Sequence, residues 1–361
     1  MATLVDLHTH TTYSDGHWEP SALFDKLAES QINIAAVMDH DQMEHLPETQ
    51  ALGKERGMVV IPGTEMTTLW RGTAAHILCY APPATGFTGD ALREVADGVR
   101  HTMIANSQLI LRNLKERDYS FPRQNDLLAF REEQQPERVD DIALLLRESG
   151  YAATRAEVLQ LVTEAGYQQA TAPLAEVVEA AHASGALCVL AHPGRGEGEI
   201  HRYEPDEFEE VVRDVPLDGI EVYYPLHSPK QIAAYAALAK QYGLLMSAGS
   251  DSHGPRQRMP IAYPASQAAT LLERLGIAYE DEWAALSGSA RCHTRNPPGF
   301  HHGDRTRLAE GQRSSGRRRR APGKLRLQGR RLAQPERPSR PSWIARRCLP
   351  LDRPTRRSRS Q

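Results

Sequence analysis

Short apolar runs that carry a histidine, aspartate or glutamate inside them or just beyond their ends recur seven times before residue 260. They are TLVDL (3–7), INIAAVM (32–38), MVVIP (58–62), AAHILCY (74–80), ALCVLA (186–191), LDGIEVYY (217–224) and GLLMSAG (243–249). Runs of five to eight residues rich in Val, Ile and Leu are too short for stable helices and fit buried strands. Helical patterns separate several of them, at 20–31, 174–185 and 228–243. The last has Ser228 with Gln231 three residues on, Pro229 at the first helical position and Gly243 as a stop. Strands alternating with helices predict an α/β fold of βα units around a parallel sheet.

Residues 90–172 break that rhythm and read as helices only, one of them opening at Thr154 with Glu157 in the capping-box position and ending at Gly166. The economical organisation is an α/β barrel formed by residues 1–89 and 173–286, with 90–172 as an all-helical insertion. A second boundary falls near residue 287. Beyond it, 20 Arg and one Lys stand against two Asp and two Glu, a net +17, while the first 286 residues carry 22 basic and 42 acidic side chains, a net −20. The stretch 287–361, with its Arg317–Arg320 run and many Pro, Ser and Gly, lacks the apolar content to offset chain entropy and is expected to be disordered. It has two readings: an arm that binds RNA or another polyanion through phosphate contacts, or the product of a frameshift in a GC-rich gene.

Whole classes of protein fall away on composition. No apolar stretch approaches the ~18–20 residues of a membrane span, and MATLVDLHTH lacks the basic start and apolar h-region of a secretory signal. Cys79, Cys188, Cys292 and Cys348 form no CxxC pair, against both a disulfide framework and a zinc ribbon. A soluble cytoplasmic protein is expected.

His8-Thr9-His10 follows the first run, and side chains two apart on a strand share a face, so both imidazoles can reach one ion. Asp15 lies in the next loop. Asp39-His40-Asp41, Gly63-Thr64-Glu65, His192-Pro193-Gly194 and Asp251-Ser252-His253 close other runs, and His76 and Glu221 lie within theirs. In a (β/α) barrel the carboxyl ends of the strands converge on one face, where active sites lie. Neutral imidazole with carboxylate suits Zn, Mn or Fe, and several carboxylates can hold more than one ion.

These residues, with Ser14-Asp15-Gly16 and Gly249-Ser250-Asp251-Ser252-His253, resemble the motifs of the PHP (polymerase and histidinol phosphatase) superfamily of metal-dependent phosphoesterases over residues 3–280. The resemblance implies a distorted (β/α)₇ TIM-like barrel with three divalent ions, most often Mn, with Fe or Zn as alternatives. It assigns His8, His10, Glu65 and Asp251 to one ion. Glu65 bridges to a second held by His76 and His192, while Asp15, His40 and His253 hold the third. Met38, where Thr is common, and Met66 depart from the pattern without removing a ligand.

The nucleophile such a centre implies is a hydroxide bridging two ions, because metal binding lowers the pKa of water from about 16 toward about 7. No GxSxG elbow, Walker loop or GxGxxG competes. Arginine's planar fork suits phosphate, and Arg195, three residues after His192, is the first candidate contact. Arg100 and Arg138 in the insertion and His227 follow. Asp39 and Asp41 are expected to orient His40, and Glu221 to support the ligands rather than join them. A stand-alone barrel with such an insertion resembles the bacterial group acting on nucleoside 3′,5′-bisphosphates and trimming RNA 5′-to-3′. That implies small nucleotides or short single-stranded RNA as substrates. The −20 charge of the first 286 residues disfavours long duplex nucleic acid. The alternatives are a small-molecule phosphatase of the histidinol-phosphate type and, outside enzymes, a structural or RNA-binding module. Sequence does not fix the oligomeric state.

Overall fold

In the computed structural model of the chain, residues 2–196 and 202–280 are described. The Arg-rich stretch expected at 287–361 lies outside them. The first part of the chain runs β1 (Leu4–Thr9), α1 (Pro20–Glu29), β2 (Ile34–Val37), α2 (Leu46–Glu55), β3 (Val59–Ile61), β4 (Gly63–Trp70) and β5 (Thr73–Tyr80). Helices α3 (Ala91–Glu116), α4 (Gln124–Leu127), α5 (Val139–Glu148) and α6 (Arg155–Glu164) follow. The chain then resumes alternation with β6 (Ala172–Pro173), α7 (Leu174–Ala183), β7 (Leu187–Leu190), α8 (Pro205–Asp214), β8 (Gly219–Tyr223), α9 (Pro229–Tyr242), β9 (Leu245–Ala248), β10 (Tyr263–Pro264) and α10 (Ala269–Arg274).

Two sheets form, of order β10-β1-β2-β3 and β6-β4-β5-β7-β8-β9. The expectation of a parallel sheet holds along β1-β2-β3, along β7-β8-β9 and between β4 and β6, and fails at three pairings: β5 is antiparallel to both β4 and β7, and β10 to β1. The reason is local. β4 and β5 meet in a two-residue turn, Arg71-Gly72, with φ of 48° and 82° and Trp70 paired to Thr73. Two consecutive positive φ values give a turn whose twist matches the flanking strands, so the chain doubles straight back. β4 is a strand that the apolar runs do not reveal. Its first four residues are all buried, so no inside–outside alternation marks its start, and Pro62, with no N–H to donate, separates it from β3.

The helix signals at 228–243 and 154–166 correspond to real caps. Ser228 Oγ accepts from the Gln231 N–H at 3.3 Å, and Thr154 Oγ1 from that of Glu157 at 3.2 Å. Gly243 leaves α9 at φ 66°.

Val5, Leu7, Ile34, Met38, Leu78, Tyr80, Val189, Leu271 and Leu272 form one buried apolar cluster drawn from both sheets and α10. Fully burying an aliphatic side chain of this kind stabilises by ~1.5–3 kcal/mol. Helices α3, α5 and α6 share a separate cluster of their own, Ile110, Leu111, Leu114, Ile142, Leu145, Leu146, Val158 and Val162 among them. The sheets also touch at two backbone seams. At one, the Asp251 N–H donates to His8 O at 2.7 Å and the His10 N–H to Ser252 O at 2.9 Å. At the other, the Asp41 N–H donates to Glu65 O at 3.0 Å. Most of the candidate ligands lie at or near these seams, while His76 on β5 and His192 after β7 come from inside the second sheet.

Candidate metal centre

Glu65, on β4, is the hub. Its Oε2 lies 2.9 Å from His8 Nε2, 3.1 Å from His10 Nε2 and 3.5 Å from His40 Nε2. Its Oε1 lies 3.0 Å from His76 Nδ1 and 3.1 Å from His192 Nε2. Asp251 Oδ1 approaches His10 Nε2 at 3.2 Å, His253 Nδ1 at 3.3 Å and His8 Nε2 at 3.5 Å. Asp15 faces His253 Nε2 at 3.2 Å through Oδ2 and His10 Nδ1 at 3.8 Å through Oδ1. The nine residues singled out in sequence are thus brought together.

Three sets have ligand atoms within 4.8 Å of one another: His8, His10, Glu65 and Asp251; His10, Asp15, His40 and His253; and His40, Glu65 and His76. A fourth set, His182, Cys188 and Asp218, lies at the other end of β7. There Asp218 Oδ2 already accepts from the Cys188 N–H and faces His182 Nε2 at 2.7 Å.

The donor set fits a cation. His8 Nε2 and His10 Nε2 face each other at 3.1 Å while both face the same Glu65 oxygen, an array of lone pairs that one shared proton cannot satisfy. His8 directs Nδ1 at Glu221 Oε1 at 3.0 Å, and His253 directs Nδ1 at the carbonyl two residues back, Asp251 O, at 2.9 Å. Once neutral, each has Nε2 left as a lone pair to offer a cation, the tautomer a metal-binding imidazole needs.

Electrostatics say the same. Burial disfavours ionised Glu65, yet His8, His40 and His76 outweigh it and hold the carboxyl well below the usual range. Asp251 and Asp15 are likewise depressed against burial, chiefly by His253 together with His8 for the first and His40 for the second. Burial opposes a charged His253, but Asp15 and Asp251 raise it to about 10, while burial drives His40 down to about 3. In the ion-free chain, protons partly fill the place of cations, so ion binding must release them.

Backbone strain marks the same places. Asp41, His192 and Asp251 adopt left-handed φ of 51°, 29° and 53°. Such conformations cost of order 1–3 kcal/mol in a non-glycine residue and cluster at functional sites. A Cβ at Gly249 would collide with the His8 Cβ, so only glycine lets this strand end approach the first ligand pair.

The chain over residues 6–215 matches the family model of the PHP domain. The protein belongs to the PHP family. It is therefore a metal-dependent phosphoesterase, a hydrolase. Among curated proteins, it is 29% identical over 260 residues to the 5′-3′ exoribonuclease Rnm of Salmonella typhimurium, covering 70% of this chain and 86% of that one. It is 30% identical over 272 residues to the phosphoribosyl 1,2-cyclic phosphate 1,2-diphosphodiesterase of Eggerthella lenta, covering 71% and 96%. It is 26% identical over 261 residues to the 3′,5′-nucleoside bisphosphate phosphatase of Chromobacterium violaceum, covering 70% and 87%. A solved structure from Bifidobacterium adolescentis, described as a candidate metal-dependent phosphoesterase, superimposes with a TM-score of 0.62 at 22% identity, covering 75% of this chain and 96% of that one. At that identity the likeness speaks for the fold.

Within this PHP domain the residues around the ligands divide the work differently from the sequence reading. Asp39 does not hold His40. It accepts from the Thr11 N–H at 2.8 Å and from the Thr11 and Ser14 hydroxyls, pinning the loop that carries Asp15. Asp41 accepts from the Thr67 N–H at 2.7 Å and fixes β4. Glu221 does support the ligands, accepting from the His192 N–H at 2.7 Å besides facing His8. Of the phosphate candidates, Arg195 Nη1 reaches Asp251 Oδ2 at 2.8 Å, and buried Arg138 donates to His40 O at 3.1 Å. Arg100 instead pairs with Glu44 at 2.7 Å and Glu137 at 3.8 Å. His227 has both ring nitrogens engaged, Nε2 accepting from the Gly194 N–H and Nδ1 facing Val222 O, which leaves neither for a substrate. Arg258 and Tyr224, both on Asp251, escape the sequence reading. The one available signal is the place of Arg258 in the loop that follows the Asp251-Ser252-His253 motif.

Proposed function

We propose that this protein hydrolyses phosphate esters of nucleotides or of short single-stranded RNA. The two sheets are then the wall of a distorted (β/α)₇ barrel, closed at the two seams, with three divalent ions, most often Mn, at its carboxyl end. The observation that carries the reading is the hub: one carboxylate, Glu65, faces five imidazoles through its two oxygens. A centre shared in that way suits a phosphoryl group, whose several oxygens must be neutralised together.

Divalent ions bound there supply Lewis-acid charge and a more acidic water. The chain's own contribution is positional. Asp251 offers Oδ1 to the cluster while Arg195, Arg258 and Tyr224 engage Oδ2. Arg138 brings the helical insertion to the backbone of His40, at the edge of the cluster, where it can limit the size of what enters. No described helix is long and apolar enough to cross a membrane. The cytoplasm, where free nucleotides and RNA ends are found, is the compartment that this substrate reading calls for.

The names of the Salmonella and Chromobacterium relatives support RNA 5′ ends and nucleoside bisphosphates as substrates. A second reading, hydrolysis of a cyclic phosphate diester on a ribose, is favoured by the Eggerthella relative, which this chain matches over nearly that protein's whole length. The test is product formation by the Mn-loaded protein, with Asp251→Ala as control: inorganic phosphate from adenosine 3′,5′-bisphosphate and histidinol phosphate, mononucleotides from a short 5′-phosphorylated RNA, and the ring-opened phosphomonoester from a ribose 1,2-cyclic phosphate. Preference for the bisphosphate and the RNA, lost in the control, is the expected result. Preference for the cyclic diester moves the assignment to the second reading, and preference for histidinol phosphate overturns both.

A further inference from the structure

The two oxygens of the Asp251 carboxylate meet different company. Oδ1 faces His8, His10 and His253, whereas Oδ2 receives Arg195 Nη1 at 2.8 Å, Arg258 Nη1 at 2.7 Å and the Tyr224 hydroxyl at 3.2 Å. Two guanidinium groups converge on one oxygen and repel each other. With Oδ1 committed to a cation as well, this corner of the site becomes a concentration of positive charge beside the ligands.

Arg258 is held unusually firmly for a residue that keeps contact with solvent. Nη1 alone makes its hydrogen bonds, donating to Ser250 O and Asp251 O at 3.1 Å each as well as to Asp251 Oδ2. The guanidinium carbon lies 5.1 Å from the centre of the Tyr224 ring, so the plane is fixed from its face too. Its loop is tied down by Ser252 Oγ donating to Arg258 O. Nε and Nη2 make no hydrogen bond among the described residues, and the side chain is 22% exposed. A planar donor fork already immobilised on one edge loses little further entropy when its other edge takes an anion.

We propose that Arg258 binds an oxygen of the substrate's phosphate group through that outer edge. The assignment rests on the phosphoesterase reading for the identity of the anion. Its geometry explains why the residue is an arginine: a lysine can neutralise Asp251 but cannot hold a carboxylate on one edge and an anion on the other.

The probe is inorganic phosphate. Its affinity for the metal-loaded full chain is measured by titration calorimetry for wild type, Arg258→Ala and Arg258→Lys, with ion content determined on the same samples. The expected result is phosphate binding weakened about tenfold or more in Arg258→Ala, intermediate in Arg258→Lys, and unchanged ion content in both, with KM for the turned-over ester rising more than kcat falls. Unchanged phosphate affinity overturns the proposal. So does loss of ions in both variants, which makes Arg258 a prop for Asp251 alone. If Arg258→Ala does not fold, Arg258→Lys carries the test, with a measurable loss of phosphate affinity required. If wild type turns over no nucleotide ester while phosphate binding still falls in the variants, the substrate reading fails and the role of Arg258 stands.

Discussion

The metal centre and the helical insertion bury their side chains on opposite terms. The centre gathers its ligands from positions as far apart as His8 and His253, and Glu65 and Asp251 each turn both carboxylate oxygens on other polar atoms. The insertion gathers Ile110, Leu145 and Val162 from neighbouring helices and buries them as hydrocarbon. Its first helix also sends Leu92, Ala96 and Val99 into the apolar cluster that holds Met66 and Ile77 of the ligand-bearing strands, and Arg138 reaches His40 O and Arg100 Glu44. The contrast teaches that the chemistry is built by long-range pairing of strand ends, whereas the outer part of the insertion, α5 and α6 with the second half of α3, can stand or fall by local packing.

That separation can be broken or sharpened by substitution. The largest effect is expected from Glu65→Gln, which keeps the shape of the hub and removes its charge. Phosphate release should fall by on the order of 10³-fold, with reduced ion content by elemental analysis. Full activity with a full ion complement would show that Glu65 is not the shared ligand. Next comes Leu145→Ala, which opens a cavity in the insertion and should cost ~2–5 kcal/mol in denaturant unfolding. If the two regions are as separate as their packing suggests, ion content and kcat stay near wild type. Parallel loss of ions would join them into one cooperative unit.

A smaller change should come from Glu221→Gln, which weakens the orientation of His8 and His192. Ion affinity should drop ~10–100-fold in a competition titration with a chelator, with the melting temperature of the ion-free protein little altered. The smallest is Thr154→Ala at the start of α6. Losing that cap should cost ~1 kcal/mol and leave ion binding untouched.

How much of the molecule is legible in its sequence depends on the range of the forces involved. The ligands are legible because polar side chains at the ends of apolar runs have few reasons to be there, and the His8–His10 spacing announces a shared face. The caps at Thr154 and Ser228 are legible because they are satisfied within four residues. The antiparallel β4–β5 hairpin is not, since an Arg-Gly turn is a weaker signal than Asn-Gly and the buried first half of β4 shows no alternation. Nor is the task of Asp39, because what it holds, the Thr11–Ser14 loop, lies 25 to 28 positions away. Arg258 escapes for a related reason: only the folded loop shows that it shares an oxygen with Arg195.

The two seams give the centre a mechanical meaning. His8 and Asp251 flank one junction between the sheets, and Glu65 with Asp41 marks the other. A cation shared among these residues is therefore a rivet driven through both joints, added to the backbone and side-chain hydrogen bonds and the apolar cluster that already hold the sheets together. Cargo for catalysis and fastener for the architecture become the same object. Stripping ions with a chelator should then lower the melting temperature as well as silence the enzyme, in proportion to the logarithm of ion concentration over its dissociation constant.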